Sequence, residues 1–395
     1  MRCLWIARDL PFPLDAGDKV YSANMARSLG ESGIYVRFLG YGGSFSASTA
    51  PGWPVDFRPV VGDKRSQLRA LLSHAPIAAA IHSTASYRAL LEAQWREAWD
   101  VIVLDNYGSG WALAPCLRMR NHRKRKIPVL VYLSHNHEES VWKAMARESR
   151  VSLPKKLALW QNYCKVRVLE RRLIGSVDLI TTITAEDAHA YAMQAADKRT
   201  VVLTPGYSGW IAPDREISGD GPCRVVLMGS FRWVVKQENL RRFVEMADEA
   251  FAKEGIQFDV IGDVPQALLD QLQPVARATK FHGFVEDIAP FFSKARLAVV
   301  PELIGGGFKL KILDYVFGRI PVATITAAAA GLPDSIRMNM LCRDDLRQLV
   351  DSIIQVIRKP WQLNTMQQQA FAAAQMHFQW RDRGQQLRHA VESLL

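Results

Sequence analysis

Three consecutive glycines, Gly305 to Gly307, are followed by Lys309 and Lys311, and they connect the apolar run Leu297–Val300 to a segment with helical spacing. A glycine-rich turn leading into a helix directs unpaired backbone N–H groups and the positive end of the helix dipole toward one place, which favours a phosphate. A simple tight turn is the alternative, since glycines are common at strand ends. Neither a Walker A ending nor a G-x-G-x-x-G dinucleotide turn is present. The stretch therefore predicts a phosphate-bearing ligand but not ordinary ATPase or NAD chemistry.

The elements that would position this turn have the pattern of an α/β protein. Short runs rich in Val and Ile alternate with helix-length segments throughout, which indicates mainly parallel sheets and two doubly wound, Rossmann-like domains. A polar stretch from Pro213 to Pro222 is the best linker between the halves. Strand runs are predicted at Cys3–Ala7, Tyr35–Leu39, Val101–Leu104, Val129–Leu133, Leu179–Ile183 and Val201–Leu203, and then at Arg224–Met228, Phe258–Ile261, Lys280–His282, Leu297–Val300 and Pro321–Thr324.

Polar residues follow several of these runs. Gly229, Ser230 and Arg232 come directly after the run that ends at Met228, while His135 to Glu139 follow the run that ends at Leu133. Open α/β sheets bind ligands at the carboxyl ends of their strands, so two such domains predict a crevice lined by these segments.

The amino-acid composition limits the classes of protein to which this chain can belong. The chain has 395 residues, of which 49% are hydrophobic and 23% charged, and this is enough for two separate cores. No apolar run approaches the roughly 18 residues needed to span a bilayer. The start, Met1 to Ala7, has the pattern of a strand and not of a signal peptide, so a cytoplasmic protein is expected. The five cysteines lack C-x-x-C spacing, which predicts reduced core residues and neither disulfides nor a zinc site.

The net charge of +11 is concentrated in the first half, where residues 1–205 hold 28 Lys and Arg against 18 Asp and Glu. The segment Arg118–Lys126 carries part of this excess. The stretch Lys155–Arg172 carries more, and it places apolar residues at helical spacing beside its cations. Two interpretations stay open, a helix resting on an anionic membrane and a solvated basic face on a core-packed helix. Nucleic acid is not expected as a partner, because no helix-turn-helix, finger or RNP-like motif accompanies the charge.

Several motifs together resemble the GT-B superfamily of nucleotide-sugar glycosyltransferases, specifically the family 4 type and its bacterial exopolysaccharide branch. The resemblance spans nearly the whole chain, and the order and spacing of the motifs carry it more than any single one. The segments that match are Pro11-Phe12-Pro13 with Gly17-Asp18-Lys19, Leu203 to Tyr207, Gly229 to Trp233 with Lys236 and Asn239, Phe281 to Asp287, and Pro301 to Val322.

This resemblance implies a GT-B fold. An N-terminal acceptor-binding Rossmann-like domain would comprise residues 1–205 and 376–395. A C-terminal domain, residues 206–375, would bind the nucleotide-sugar donor. Family members often carry two glutamates separated by seven residues; here Asp314 stands at the second position and Gly306 at the first. Asp314 is therefore expected on the ribose, while sugar contacts pass to the backbone of Gly306 and Gly307 and to Phe308.

The resemblance also implies roles for the other polar residues. Glycosyl transfer needs positive groups on the leaving diphosphate, and Lys309 is the first choice, with Arg232 and Lys236 as companions. Gly229, Ser230, Gly283 and Phe284 would border the nucleotide. No metal or cofactor is expected.

In the first half, His135 is expected near the donor sugar or its phosphate, and Glu138 or His137 could take the acceptor proton. Glu138 and Glu139 could instead only cap the following helix. Asp18 is either a helix cap or part of an acceptor channel with Gly17 and Lys19.

The predicted function is a glycosyltransferase that uses a UDP- or GDP-sugar, retains anomeric configuration, and acts on a glycan, lipid-linked or small-molecule acceptor. Anionic acceptors suit the basic first half, as does peripheral contact with an anionic membrane at its inner face. Two alternatives stay open: a nucleotide-sugar 2-epimerase, and a non-catalytic sugar-nucleotide-binding partner subunit.

Overall fold

The computed structural model describes residues 1–42, 50, 52–122, 127–149 and 151–395. The chain forms two compact units. The first contains Met1–Arg147, Val151–Gly206 and the returning segment Gln379–Leu395, and the second is formed largely by Tyr207–Phe378. Part of the basic segment noted in the sequence, residues 123–126, lies outside the described residues.

Within the described residues, the first unit has a parallel sheet of seven strands. Their order across the sheet is β3, β2, β1, β4, β5, β6, β7. The chain thus starts in the middle, builds to one edge, and returns to build the other edge from β4, which is the doubly wound arrangement. The strands are β1 (Arg2–Asp9), β2 (Tyr35–Tyr41), β3 (Val55–Val60), β4 (Val101–Asp105), β5 (Val129–Leu133), β6 (Leu179–Thr182) and β7 (Arg199–Val202).

The second unit repeats this plan with six described parallel strands in the order β10, β9, β8, β11, β12, β13. Its central strands, β8 and β11, are flanked by helices, and both faces bury apolar residues such as Val225, Phe258 and Val299. The strands are β8 (Cys223–Met228), β9 (Ile256–Ile261), β10 (Thr279–Phe281), β11 (Leu297–Val300), β12 (Val322–Ile325) and β13 (Leu341–Arg343). The predicted α/β class with two Rossmann-like sheets is confirmed.

Helices cover the sheets of both units. In the first unit the last helix of the chain packs against the first one, where Gly384 N–H donates to Ser28 Oγ at 2.8 Å. The helices are α1 (Gly17–Glu31), α2 (Gln67–Leu71), α3 (Ile77–His82), α4 (Ala85–Gln94), α5 (Leu113–His122), α6 (Glu138–Glu148), α7 (Leu153–Ser176), α8 (Ala185–Gln194), α9 (Val234–Lys253), α10 (Gln266–Leu272), α11 (Ala289–Lys294), α12 (Leu310–Phe317), α13 (Asp334–Arg337), α14 (Leu346–Val356), α15 (Pro360–His377) and α16 (Trp380–Glu392).

Two edge strands, β3 and β13, are absent from the strand prediction. Strand β3 has the sequence Val-Asp-Phe-Arg-Pro-Val, in which charged residues and Pro59 interrupt any apolar run. An edge strand tolerates such residues because only one of its sides is paired. Strand β13 has only three residues, all half-buried, which is too short for a visible pattern.

The apolar residues of helix α7 divide between the core and the surface. Its buried residues include Tyr163, Val166 and Leu173, whereas Leu157 and Val168 are exposed beside the basic residues. Cys164 is exposed on the same helix, so the prediction that all cysteines are core residues is wrong for this one. No helix among the described residues is long and apolar enough to cross a membrane.

Candidate functional site

Each sheet reverses its winding direction at one place, and the polar motifs lie there. In the first unit the reversal falls between β1 and β4, and in the second between β8 and β11. The loops that leave neighbouring strands at such a switch point run in opposite directions and leave a crevice, in which open α/β sheets bind ligands. Each unit therefore carries one candidate site of its own.

The glycine turn of the second unit adopts a conformation that other residues would resist. Gly305 has φ +126° and Gly307 has φ +70°, both in the region that side chains with a Cβ rarely enter. Helix α12 begins three residues after Gly307, at Leu310. The turn therefore presents its backbone to the start of α12, as an anion site requires.

Asn239 on helix α9 fixes the segment that leads into this turn. Its side-chain oxygen accepts hydrogen bonds from the backbone N–H groups of Leu303 at 3.1 Å and Ile304 at 3.0 Å, and its amide nitrogen donates to the Ile304 carbonyl at 2.7 Å. Asn239 is only 3% exposed. One buried side chain thus satisfies three backbone groups that no strand or helix could satisfy at this position.

Replacing Asn239 with Ala should lower the free energy of unfolding by about 2–3 kcal/mol, because buried backbone donors and an acceptor lose their partner. Urea denaturation of both proteins measures this difference. Asn339→Ala removes an amide that donates at the surface to the Ser335 carbonyl, and it is the matched control. Equal losses for the two variants would contradict the anchoring role of Asn239.

A buried carboxylate, Glu302, gathers the lysines of this site. Lys311 Nζ lies 2.6 Å from Glu302 Oε1, and Lys309 Nζ lies 3.4 Å from Glu302 Oε2. Burial alone would raise the pKa of Glu302, but the charges of Lys311 and Lys309, with a smaller contribution from Lys236, hold it well below its usual range. Two lysines therefore contact one buried carboxylate, with Lys236 within electrostatic reach, and the excess positive charge is suited to a diphosphate.

The lysines also connect the two strand ends of the switch point. A Cβ atom at Gly229 would lie 3.4 Å from Lys311 Nζ, which places this ammonium at the end of β8. Lys309 Nζ donates to the Gly306 carbonyl at 2.6 Å and so lies across the glycine turn. The structure thus brings Gly229, Gly306 and Lys309 together with Lys311, the second lysine that the sequence places beside the glycine turn.

Other predicted donor-site residues have contacts that do not involve Glu302 and its lysines. Arg232 is largely exposed and pairs with Asp263, each of them lying in the loop after its strand, β8 or β9. Phe308 packs against Phe378, with ring centroids 5.8 Å apart, and so contributes to the core. Gly283 accepts a backbone hydrogen bond from Gly262 at 2.7 Å, and the side chain of Phe284 is 80% exposed.

Ser230 follows Gly229 and is half-buried at the end of β8. Asp314 lies on α12, beyond the glycine turn, with its carboxyl near the Tyr207 hydroxyl, which itself donates to the Trp210 carbonyl at 2.9 Å. Burial raises the pKa of Asp314 to about 6, while the Tyr207 hydroxyl and the charge of Lys311 act in the opposite direction. Tyr207 is itself fixed by stacking on Phe317, with centroids 4.2 Å apart. This arrangement holds the carboxyl ready to accept hydroxyl hydrogen bonds.

In the first unit, Arg8 lies near the end of β1, where the pairing register with β2 shifts between Ile6 and Asp9. Such an irregularity changes the direction of a side chain at a strand end. The Arg8 guanidinium contacts the Asp18 carboxylate at 2.5 Å. Burial alone would raise the pKa of Asp18, but Arg8, and then His135, hold it below its ordinary value. Gly108 allows this packing, because a Cβ there would lie 2.3 Å from the Arg8 stem.

Asp18 lies in the first turn of α1, which begins at Gly17. Lys19 follows it and pairs with Asp15 at 2.8 Å. One pocket contains these groups together with the strand ends, and it is lined by Ala7, Arg8, Asp9, Pro11, Asp18, Lys19, Ser22, Asp105, Asn106 and His135.

His135 forms a buried pair with Asp105, the last residue of β4. The distance from His135 Nε2 to Asp105 Oδ1 is 2.7 Å, and Trp5 Nε1 donates to the other carboxylate oxygen at 2.8 Å. The second ring nitrogen, Nδ1, is buried and has no hydrogen-bond partner within the described part of the chain. A carboxylate that orients an imidazole while its other nitrogen is available is an arrangement suited to proton transfer or to contact with a bound anion.

Glu138 is buried behind the wall of this pocket. Its Oε1 accepts from Asn136 Nδ2 at 3.1 Å, and Asn106, which lines the pocket, donates to the same oxygen at 3.5 Å. Burial raises the pKa of Glu138 to about 7, and the negative charge of Glu170 adds to this shift. The first unit thus combines an ionised carboxylate, Asp18, with a carboxyl that titrates near neutral pH, which is the combination that acid–base chemistry requires.

His137 and Glu139 face away from these groups. His137 Nδ1 lies 2.6 Å from Ser140 Oγ, and its Nε2 lies 2.9 Å from Gln194 Nε2. Glu139 pairs with Arg171 at 3.1 Å. Of the two groups considered for the acceptor proton, Glu138 therefore remains the candidate. The capping role belongs to Glu170, which accepts the backbone N–H groups at both Glu138 and Glu139.

Sequence reasoning did not identify Glu302 or Glu170. It also missed the pairing of Arg8 with Asp18 and of Asp105 with His135. The signal for Glu302 was present, since it is a single acid within an otherwise apolar stretch after β11. Glu170 gives no such signal, because it lies on a long charged helix. Within the part of the chain that the structure describes, no group of three or more His, Cys, Asp or Glu side chains is placed to hold a metal ion.

Comparison with known proteins agrees with this description. Residues 222–359 match the family model of glycosyl transferases group 1. No protein with a curated description matches the chain in sequence.

Several solved structures share the fold over the full chain. HepE of Anabaena, in complex with UDP and glucose, has a TM-score of 0.64 at 15% identity, with 100% of each chain covered. WaaG, a glycosyltransferase involved in lipopolysaccharide biosynthesis, has a TM-score of 0.64 at 15% identity, with 98% of this chain and 99% of that one covered. TarM of S. aureus, in complex with UDP among other ligands, has a TM-score of 0.67 at 8% identity, with 99% of each chain covered. The predicted GT-B fold is confirmed, and the matched segment is a group 1 glycosyltransferase domain, as the resemblance implies.

Proposed function

We propose that this chain, a glycosyltransferase with the GT-B fold, transfers a sugar from a UDP- or GDP-sugar to a hydroxyl group of an acceptor in polysaccharide biosynthesis. The observation that carries the proposal is the pair of Lys309 and Lys311 on Glu302, beside Gly229 and the glycine turn, with Lys236 within electrostatic reach of the same carboxylate. Positive groups held in place before the reaction stabilise the charge that grows on a leaving diphosphate. The UDP bound in HepE and TarM supports a uridine nucleotide as the first choice of donor.

The second unit binds the donor in this proposal. The lysines and the backbone at Gly306 and Gly307 hold the diphosphate. Asp314 accepts the ribose hydroxyls, and the exposed ring of Phe284 contacts the base. The half-buried Asp314 carboxyl is suited to this because it is held by Tyr207 and by packing.

The first unit binds the acceptor and supplies the proton-transfer groups. His135, oriented by Asp105, contacts the transferred sugar or its phosphate through Nδ1. Asp18, held ionised by Arg8, orients the acceptor hydroxyl. Glu138, which lies behind Asn106, takes the acceptor proton through bound water, since its pKa of about 7 suits a base near neutral pH.

We further propose that transfer needs no metal ion and retains anomeric configuration. The lysine cluster supports the first statement, since it supplies the positive charge that a metal would otherwise bring. Full activity in the presence of EDTA is the expected result for metal independence. For retention, NMR of the product should show the same anomeric configuration as the donor sugar.

Peripheral contact with an anionic membrane at its cytoplasmic face is also part of the proposal. Leu153, Leu157 and Val168 are exposed on α7, and helical spacing places Lys156 and Arg172 on the two flanks of this face. Apolar side chains flanked by cations on one helix face suit a surface of acidic lipids.

A panel of nucleotide sugars, with melting temperature as the readout, tests the donor assignment. A UDP- or GDP-sugar present at about a hundredfold excess over its Kd should stabilise the protein by about 3 kcal/mol. The same panel with candidate acceptors then gives transfer. If no nucleotide sugar raises the melting temperature, the proposed donor site is refuted.

The acceptor dependence of turnover separates this function from the two alternatives. Conversion of UDP-GlcNAc to its C2 epimer without any acceptor would indicate an epimerase. Binding of a nucleotide sugar without turnover on any acceptor would indicate a non-catalytic partner subunit.

A further inference from the structure

The first unit has a second concavity, which the proposed reaction does not use. It is an open pocket of about 530 Å³ lined by side chains of the β3–α2 segment and the start of α4. Three of its lining residues are the cations Lys64, Arg65 and Arg69, and Asp63 is the single acid among them; Ser66, Thr84 and Ala85 complete the lining. The lining is therefore positively charged.

Two of these cations are available to a ligand. Arg65 and Arg69 are exposed, and neither guanidinium forms an ion pair with a carboxylate within the described part of the chain. Lys64 differs, because its Nζ contacts Asp9 Oδ1 at 2.5 Å and lies 5.6 Å from the centre of the Tyr41 ring. Two arginines that line one pocket can each present a fork of N–H donors to phosphate oxygens.

Asp9 joins this pocket to the candidate site of the first unit. It is the last residue of β1 and lines the pocket that contains Asp18 and His135, while it holds Lys64 from the other side. His82 Nε2, at 3.6 Å, also contacts Asp9. A ligand that places its phosphate at Arg65 and Arg69 can therefore extend past Lys64 and Asp9 toward the groups proposed to act on the acceptor hydroxyl.

Exposed leucines lie on or beside the helix that carries Arg69. Leu68 and Leu72 are 70% and 78% exposed. Lys165 of α7 donates to the Leu71 carbonyl at 2.7 Å, so this rim is held against α7, on which Leu153 and Leu157 are also exposed. An anion pocket with an apolar rim suits a ligand that carries phosphate and hydrocarbon in one molecule.

We propose that this pocket binds the diphosphate of a prenyl-diphosphate-linked acceptor, whose hydrocarbon chain contacts Leu68 and Leu72. This inference rests on the proposed function, since it names the acceptor of that reaction. Arg65 and Arg69 bind the phosphates, and the glycan attached to them extends along Asp9 to the pocket of Asp18 and His135.

Calorimetric titration with farnesyl diphosphate tests the pocket without knowledge of the glycan. R65Q/R69Q should weaken its binding by at least about tenfold, because charge-assisted hydrogen bonds to phosphate are lost. K294Q/R347Q removes two exposed cations of the second unit and should leave binding unchanged. L68S/L72S should weaken binding of farnesyl diphosphate by about threefold or more and leave that of inorganic pyrophosphate unchanged, since only the hydrocarbon chain contacts the leucines.

Three results would overturn the inference. The first is unchanged binding of farnesyl diphosphate in R65Q/R69Q, and the second is its displacement by UDP. The third is equal affinity of the wild-type protein for farnesyl diphosphate and inorganic pyrophosphate, since this would indicate a phosphate site that does not bind a lipid. Stabilisation by UDP is measured separately on the same variants and should not change. Absence of a UDP response in the wild-type protein would refute the donor assignment, while the titration still decides on the pocket.

Discussion

Replacing Lys309 with Ala should lower kcat/KM for the nucleotide-sugar donor by about 10²–10³-fold. The reason is that one fixed cation beside a developing oxyanion contributes an effect of this size in a site that excludes water. Lys309 is suited to this role because its side chain is only 12% exposed and is held across the glycine turn by the Gly306 carbonyl. Steady-state kinetics with varied donor measure the change, and stabilisation by UDP should fall with it.

The fold should survive this substitution. Glu302 keeps its 2.6 Å contact with Lys311, so no buried carboxylate is left without a partner. Lys311→Ala is less informative, because it would leave Glu302 with only the 3.4 Å contact to Lys309 and would also destabilise the protein. Lys294→Ala, at an exposed position, is the matched control. A change of less than about threefold in K309A would show that the leaving diphosphate is bound elsewhere.

The position of each candidate site at the strand ends could be predicted from the sequence because local patterns determine where strands end and turns begin. A run such as Leu297–Val300 followed by Gly305–Gly307 places a turn at the end of a buried strand, and parallel sheets put all such ends on one edge. The same reasoning holds for Gly229 after β8 and for His135 after β5. Strand positions and turn residues therefore locate a site before any side chain is placed.

The contacts within the site could not be predicted, since they join residues far apart in the chain. Asn239 anchors residues 303 and 304 from helix α9, and Glu170 caps a helix that begins 32 residues earlier. Neither pairing follows from spacing, because each depends on how a helix packs over the sheet. Arg8 and Asp18 are only ten residues apart, yet their contact depends on the irregularity in β1.

Side-chain direction is equally hard to predict from spacing, and this explains why some predicted residues have contacts that do not involve Glu302 and its lysines. A cation after a strand end, such as Arg232, can face the site or the neighbouring loop, and here it pairs with Asp263 of the loop after β9. Phe308 follows the glycines directly, but its ring is apolar and packs against Phe378. Sequence position selected the segment in both cases, whereas charge pairing and burial decided the direction of the side chain.

Replacing Glu138 with Gln should remove the pH dependence of the reaction near neutral pH and lower kcat by about 10²-fold at about pH 8. A base acts in its ionised form, and the pKa of Glu138 is about 7, so the wild-type rate should rise with pH across this value. Glutamine has the same shape and can still accept the Asn136 hydrogen bond, but it cannot take a proton. Profiles of kcat against pH, from about 5 to about 9, measure the difference.

The same substitution should stabilise the protein at about pH 8, although it lowers activity. The folded state holds the Glu138 proton up to about pH 7, whereas the unfolded chain releases it near the ordinary value of 4.5. The folded state therefore binds more protons between these values, and the free energy of unfolding falls as the pH rises through this window. Because the introduced amide stays neutral, the variant should avoid a loss of about 3 kcal/mol at about pH 8 and match the wild-type protein near about pH 4.

Glu139→Gln is the matched control, since the neighbouring carboxylate pairs with Arg171 and Arg167 and faces away from the pocket. It should leave both the kcat profile and the pH dependence of stability as in the wild-type protein. An E138Q protein that is stabilised at alkaline pH but keeps the wild-type rate profile would show that Glu138 titrates in the fold without taking the acceptor proton. In that case Asp18 and His135, which line the pocket directly, are the groups left to act on the acceptor.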